Sequence, residues 1–167
     1  MKKTWSIQIH KDYLKFSAAH FLIFPDGSAE RLHGHNYKVY VDVETPLDRH
    51  GLVINFKEIK PIIREVVDEL DEYVLIPGQH PVLTCEPRDD GLYDIRYGDR
   101  RYLIPIDEVR LLPISNSSAE NLAEDLSRFE AEEGAVVEAS QLDPAAELVW
   151  LTGSFPDQGG AGVVYLA

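Results

Sequence analysis

His33-Gly34-His35-Asn36-Tyr37-Lys38-Val39-Tyr40-Val41-Asp42-Val43 decides the architecture of this chain. Tyr37, Val39, Val41 and Val43 recur at every second position, the period of a strand with one face on a core and the other in water. His33 and His35 share that parity, so two imidazoles continue the inward-facing stripe at its end. Upstream, residues 5–9 alternate with Trp5, Ile7 and Ile9 on one side. Residues 14–20 alternate in the opposite phase, with Leu14, Phe16, Ala18 and His20. A phase change near Lys11-Asp12 predicts a bulge or bend within one long strand, because an irregularity there exchanges the two faces. Downstream, Pro46 to Gly51 reads as a hairpin turn and Leu52 to Phe56 as a return strand.

Beyond this β segment the period changes. Ile59, Ile62, Ile63, Val66, Val67 and Leu70 recur at helical spacing, predicting a helix over Lys57–Leu70 with Asn55 as its cap. A second helix is predicted from about Ser118 to Glu132, introduced by Ser115-Asn116-Ser117-Ser118 and striped by Leu122, Ala123, Leu126 and Phe129. Residues 82–112 hold several short strands broken by Asp89-Asp90-Gly91 and Tyr97-Gly98-Asp99. Residues 147–151 and 162–166 read as a last hairpin. Gly159-Gly160-Ala161-Gly162 between them is a turn and not a phosphate loop, because no helix follows it. This order argues α+β with an antiparallel sheet, in a single domain over residues 1–167.

Composition narrows the function. The 167 residues suffice for one domain with a real core. The formal net charge of −13 repels phosphate backbones and anionic lipid, which argues against nucleic-acid and membrane partners. No apolar run approaches the length of a bilayer span, and the first residues lack the apolar stretch of a secretory signal. Cys85 is the single cysteine, so an intrachain disulfide and a Cys-rich zinc motif are both excluded. A cytoplasmic location is the expectation.

The chemistry then rests on histidine. An i, i+2 pair on a strand puts both imidazoles on one face, and three imidazoles with one open position form a catalytic zinc site. His20 ends the inward stripe of the first strand and supplies the third ring if the two strands pair. An isolated His-x-His is more often an ordinary surface or core pair, so the pairing decides. His10, His50 and His80 stand beside turns or phase changes and read as surface residues.

Four stretches in order carry a resemblance to a known family. They are Phe16-Ser17-Ala18-Ala19-His20, His33-Gly34-His35-Asn36-Tyr37, Gly51-Leu52-Val53-Ile54-Asn55-Phe56, and Ser118-Ala119-Glu120-Asn121-Leu122-Ala123. The chain resembles the 6-pyruvoyl-tetrahydropterin synthase and 6-carboxy-tetrahydropterin synthase family. The resemblance implies a T-fold, an antiparallel sheet with two helices on one face. It implies closure of three subunits into a β-barrel and stacking of two rings into a homo-hexamer, with active sites between subunits. It implies Zn2+ on His20, His33 and His35, and a small-molecule pterin whose side chain is processed on the way to queuosine, folate or biopterin precursors.

The chain departs from the family pattern at three places. No cysteine lies between His20 and His33, where the family's usual base stands. The family's Asp-His pair after the first helix reads Asp71-Glu72. The acid that anchors the pterin ring on the last strands has no clean match, Leu151 standing there with Glu147 four residues before it. Glu30-Arg31-Leu32-His33-Gly34-His35 resembles a variant group in which glutamate replaces the cysteine and the side chain of dihydroneopterin is cleaved.

The resemblance thus makes Glu30 the candidate base, Asp71 and Glu72 candidates for proton relay, and Glu120 with Ser118 candidates for the substrate pocket. Each also has a plain structural reading. Glu30 would be a solvated loop carboxylate, Asp71 a helix terminator and Glu120 a first-turn glutamate favourable to the helix dipole. Cys85 reads as a small strand residue. Two rival functions stand beside the lyase or synthase: a relative that binds metal and a pterin-like ligand without turnover, and a zinc hydrolase in which Glu30 activates water.

Overall fold

The computed structural model describes residues 5–45, 47–127, 136–143, 148–155 and 160–166. Strands β1 (Trp5–His20) and β2 (His33–Thr45) form an antiparallel pair, followed by helix α1 (Phe56–Asp68). Four short strands follow: β3 (Tyr73–Pro77), β4 (Thr84–Pro87), β5 (Leu92–Tyr97) and β6 (Arg100–Pro105). A single 3-10 turn, Ile106–Glu108, leads into β7 (Val109–Leu112), and helix α2 spans Ala119–Ser127. The chain closes with β8 (Val136–Asp143), β9 (Leu148–Phe155) and β10 (Gly160–Leu166).

Seven strands form one sheet in the order β7-β3-β1-β2-β10-β9-β8, and β4-β5-β6 form a second. The main sheet is antiparallel from β1 to β8, and β3 and β7 extend it in parallel. Both helices cover one face. There Ile9, Leu14 and Phe16 of β1 and Val39 and Val41 of β2 pack with Ile59, Ile63 and Val67 of α1 and Leu122 and Ala123 of α2. Burial of each Ile, Leu, Val or Phe side chain there contributes roughly 1.5–3 kcal/mol to folding.

The phase change in β1 is a real irregularity. Ile9 pairs with Val41 before it and Phe16 pairs with Tyr37 after it, with the register broken between His10 and Lys15. Odd-numbered residues face the core before this bulge and even-numbered ones after it, as the sequence pattern requires. Asn55 caps α1, its side chain accepting from the Lys57 N–H at 3.1 Å.

The return strand expected over Leu52–Phe56 does not form. The Asp48 carboxylate accepts from the N–H groups of His50 and Leu52, each at 2.8 Å, and Gly51 takes a φ of 77°. Only three residues then separate this turn from the Asn55 cap, too few to pair, and β10 occupies the free edge of β2 instead. The last hairpin is present as β9 and β10, preceded by β8, which the sequence pattern did not reveal. The far end of the second predicted helix, with Phe129, lies outside the described residues, as does Glu147. Residues 82–112 contribute a separate three-stranded sheet around a second core of Phe21, Ile23, Ile76, Leu83, Ile95 and Val109. Strand β3 divides the two cores, with Leu75 facing one and Ile76 the other. No described helix is long and apolar enough to cross a membrane.

Candidate metal centre

The β1–β2 register places His20 opposite His33, and Ala18 opposite His35. Directly paired residues of an antiparallel ladder share a face, so the three rings project together. Their centroids lie 4.8 Å (His20–His33), 5.2 Å (His20–His35) and 4.8 Å (His33–His35) apart. One nitrogen from each ring falls within 4.8 Å of the others. Gly34 separates the two β2 histidines on the opposite face. A methyl added there would first meet the Ala18 carbonyl oxygen at 3.4 Å, so crowding within this chain does not demand a glycine.

Two of the rings are oriented by main-chain carbonyls. His20 Nδ1 lies 2.7 Å from the Ser117 carbonyl oxygen, and His33 Nδ1 lies 2.7 Å from that of Arg31. Donation from each Nδ1–H leaves Nε2 with its lone pair for a metal, the arrangement by which metal-binding histidines are held in one tautomer. Burial holds His20 below the usual imidazole pKa, against the opposing pull of the Ser117 hydrogen bond, and the neighbouring His33 and His35 lower it further. A neutral imidazole is the form that binds metal. The Tyr37 hydroxyl stands 3.4 Å from His20 Nε2, a weak contact that a stronger ligand displaces. Burial, with a smaller push from Glu30, raises that phenol to about 12, so it stays protonated. The donor set, its convergence and the carbonyl-held tautomers of His20 and His33 fit a divalent ion.

His20 is buried whereas His35 is exposed, so the cluster opens to one side. On that rim stands Glu30, its Oε2 3.8 Å from His33 Nε2 and accepting from the Leu22 N–H at 3.2 Å. Asp71 and Glu72 follow α1 and clip onto β1. The Asp71 carboxylate accepts from the Ser17 N–H at 2.8 Å, and the Glu72 N–H donates to the Ser17 carbonyl at 2.7 Å. Glu72 takes a positive φ of 66° and shares with His35, Ser17 and Asn36 the lining of an open cavity of about 310 Å³. The Ser118 hydroxyl accepts from the Asn121 N–H at 3.3 Å and so caps α2. Glu120, exposed in the first turn of α2, lies three residues beyond the carbonyl that holds His20. Cys85 lies on β4 against the second core, and burial with the nearby Glu86 pushes its thiol up to about 11.

Sequence reasoning missed Ser117. It is fully buried, its carbonyl holds His20 and its hydroxyl donates to the Phe21 carbonyl at 2.8 Å. Beside it, Asn116 bonds both the N–H and the carbonyl of Ile23. The run Ser115-Asn116-Ser117-Ser118 carries more polar side chains than one helix cap uses, and that surplus was the available signal.

Sheet, helices and histidine cluster define a chain of the T-fold class with a candidate metal site. The profile of the 6-pyruvoyl tetrahydropterin synthase family matches residues 8–141, and the chain belongs to that family. A Methanocaldococcus jannaschii protein provisionally named 6-carboxy-5,6,7,8-tetrahydropterin synthase is 42% identical over 113 residues, covering 66% of this chain and 67% of that one. A Pyrococcus horikoshii protein with the same provisional name is 31% identical over 112 residues, covering 66% of this chain and 65% of its own length. The chain thus spans about two thirds of these relatives. Among solved structures, 6-pyruvoyl tetrahydropterin synthase from Plasmodium vivax superposes with a TM-score of 0.74 at 25% identity, covering 97% of this chain and 98% of that one. A further structure of that enzyme has alanine in place of a glutamate described as a catalytic residue.

Proposed function

We propose that the chain is a zinc-dependent enzyme acting on the three-carbon side chain of a reduced pterin, with His20, His33 and His35 holding the ion and Glu30 as the base. The observation that carries this reading is the Glu30 carboxylate at 3.8 Å from His33 Nε2, on the open rim of a cluster in which main-chain carbonyls orient His20 and His33. A glutamate named as catalytic in the Plasmodium vivax enzyme supports a carboxylate in this role.

A zinc ion bound there would polarise side-chain oxygens and make adjacent protons easier to remove. The chain's residues supply the rest. For cleavage of dihydroneopterin, Glu30 removes the proton of the side-chain hydroxyl next to the bond that breaks. The carbon bearing that oxygen becomes a carbonyl as the carbon–carbon bond opens, and the proton returns to the carbon left on the ring. Glu72, which lines a cavity together with His35, is the second carboxylate assigned to proton relay, and Asp71 fastens the same turn to β1 through Ser17. Glu120 accepts hydrogen bonds from the amino-pyrimidine edge of the pterin, and Ser118 fixes the helix turn that presents it. Among the described residues the main sheet ends at β7 and β8, edges that support assembly of copies edge to edge into the barrel and hexamer of the family.

The test is incubation of the zinc-loaded protein with dihydroneopterin, and separately with its triphosphate, with products separated by chromatography. Turnover of either, lost by at least about a hundredfold in Glu30→Gln at full zinc occupancy, is the expected result. Parental rates in Glu30→Gln would remove Glu30 from the chemistry. Tight pterin binding with full zinc and no turnover would mark a binding subunit.

A further inference from the structure

We propose that Arg100, on the three-stranded sheet of residues 84–105, is the positioning residue for Glu30. This rests on reading Glu30 as the base. The chain from Phe21 to Leu32 folds as a miniature hairpin. Ile23 bridges Ala29, the Glu30 N–H donates to the Leu22 carbonyl at 2.9 Å, and the Leu22 N–H donates back to the Glu30 carboxylate. Its first arm is held from the α2 side by Asn116 and Ser117. Its second arm carries Glu30 and is held at Arg31 by His33 and, from the second sheet, by Arg100. The Arg100 guanidinium donates to the Glu30 carbonyl through Nη1 and to the Ala29 carbonyl at 2.7 Å through Nη2.

Two consecutive carbonyls on one planar fork fix both the place and the tilt of the peptide between them, which a single donor cannot do. Arg100 itself is set by its place in β6, opposite Tyr97 of β5, whose hydroxyl bonds the Gly27 carbonyl at the loop tip at 2.9 Å. The guanidinium engages main-chain carbonyls and leaves the carboxylate of Glu30 to Leu22 and the histidines. It therefore aims the base without forming an ion pair with it. Positioning of this kind governs kcat more than substrate affinity, because a small displacement of a base is felt chiefly in the transition state.

The activity-independent reporter is the Leu22 amide, whose hydrogen goes directly to the Glu30 carboxylate. Hydrogen exchange of the full-length, zinc-loaded protein is compared with Arg100→Gln, Arg100→Lys, Arg101→Gln and Glu30→Ala. Arg101 pairs with Asp94 in the same sheet and does not touch the loop, so Arg101→Gln controls for weakening of the sheet. Glu30→Ala shows the exchange rate of a released Leu22 amide. Expected are exchange at Leu22 at least about tenfold faster in Arg100→Gln, a smaller rise in Arg100→Lys, and parental exchange in Arg101→Gln. With pterin substrate, kcat falls about tenfold or more in Arg100→Gln while KM stays within about twofold. Unchanged Leu22 exchange in both Arg100 variants overturns the proposal, as does an equal loss in the Arg101 control. Faster exchange with an unchanged kcat reduces Arg100 to a loop brace and also overturns it. A parental protein without pterin turnover defeats the proposed reaction, and the exchange data then decide the clamp alone.

Discussion

His20 on β1 stands directly across the ladder from His33 on β2, with ring centroids 4.8 Å apart. The bulge between His10 and Lys15 makes this meeting possible. Without it the even-numbered residues at the end of β1 would face away from the odd-numbered stripe of β2, and His20 would point from the other side of the sheet. The bulge is therefore a condition for the histidine cluster, although it lies in the middle of the strand, before Lys15.

Removal of one ring should empty the site without unfolding the chain. In His35→Ala, affinity for zinc is expected to fall by more than about a hundredfold, since loss of a mere partner of a ligand costs 10–100-fold. His35 is exposed, so the urea midpoints of the metal-free variant and metal-free parent should correspond to a difference within about 0.5 kcal/mol. Elemental analysis and competition with a chelator measure the first effect, and denaturant unfolding the second. Stoichiometric metal in the variant would move the site elsewhere.

Ser117→Ala separates the side chain of this residue from its main chain. The substitution leaves the buried Phe21 carbonyl without the hydroxyl that donates to it, at a cost of about 1–3 kcal/mol in urea unfolding. The carbonyl that holds His20 remains, so metal should still load fully.

Asp94 carries a pH dependence with a definite sign. It is 8% exposed and accepts paired hydrogen bonds from both Arg96 and Arg101, which hold its carboxyl far below the usual carboxylate range. A lowered folded pKa stabilises the fold above the unfolded value of about 3.9, and that contribution fades as pH falls through the lower folded value. The urea midpoint of Asp94→Asn should thus lie below that of the parent at pH 7. The gap should narrow steadily at acid pH below about 3.9. A gap independent of pH would show that charge on Asp94 does not matter to the second sheet.

Cys85 should be a slow thiol. With its pKa pushed up to about 11, the thiolate fraction at pH 8 is about two orders of magnitude below that of a free cysteine near 8.5. Alkylation by iodoacetamide under native conditions should be slower by the same factor, and should reach the free rate in denaturant. Fast native modification would contradict its placement on β4.

Local periodicity was enough to locate β1 and β2, their phase change, helix α1 with its Asn55 cap, and the parity that unites His20, His33 and His35. Each depends on residues a few positions apart, where strand and helix geometry dictate which side chains share a face. The same reasoning overextended at Leu52–Phe56, whose alternation was real but whose hydrogen bonds went to the Asp48 turn and the α1 cap.

The rest was decided by contacts between distant segments. The His20 tautomer depends on a carbonyl 97 residues away, and the carbonyl of Glu30 is fixed by an arginine 70 residues on. Nothing in the neighbourhood of Arg100 marks it as facing Glu30, because that encounter exists only once the second sheet has packed its apolar residues around Phe21 and Ile23. Spacing along the chain can place donors on a face. Which carbonyl each donor meets is chosen by packing.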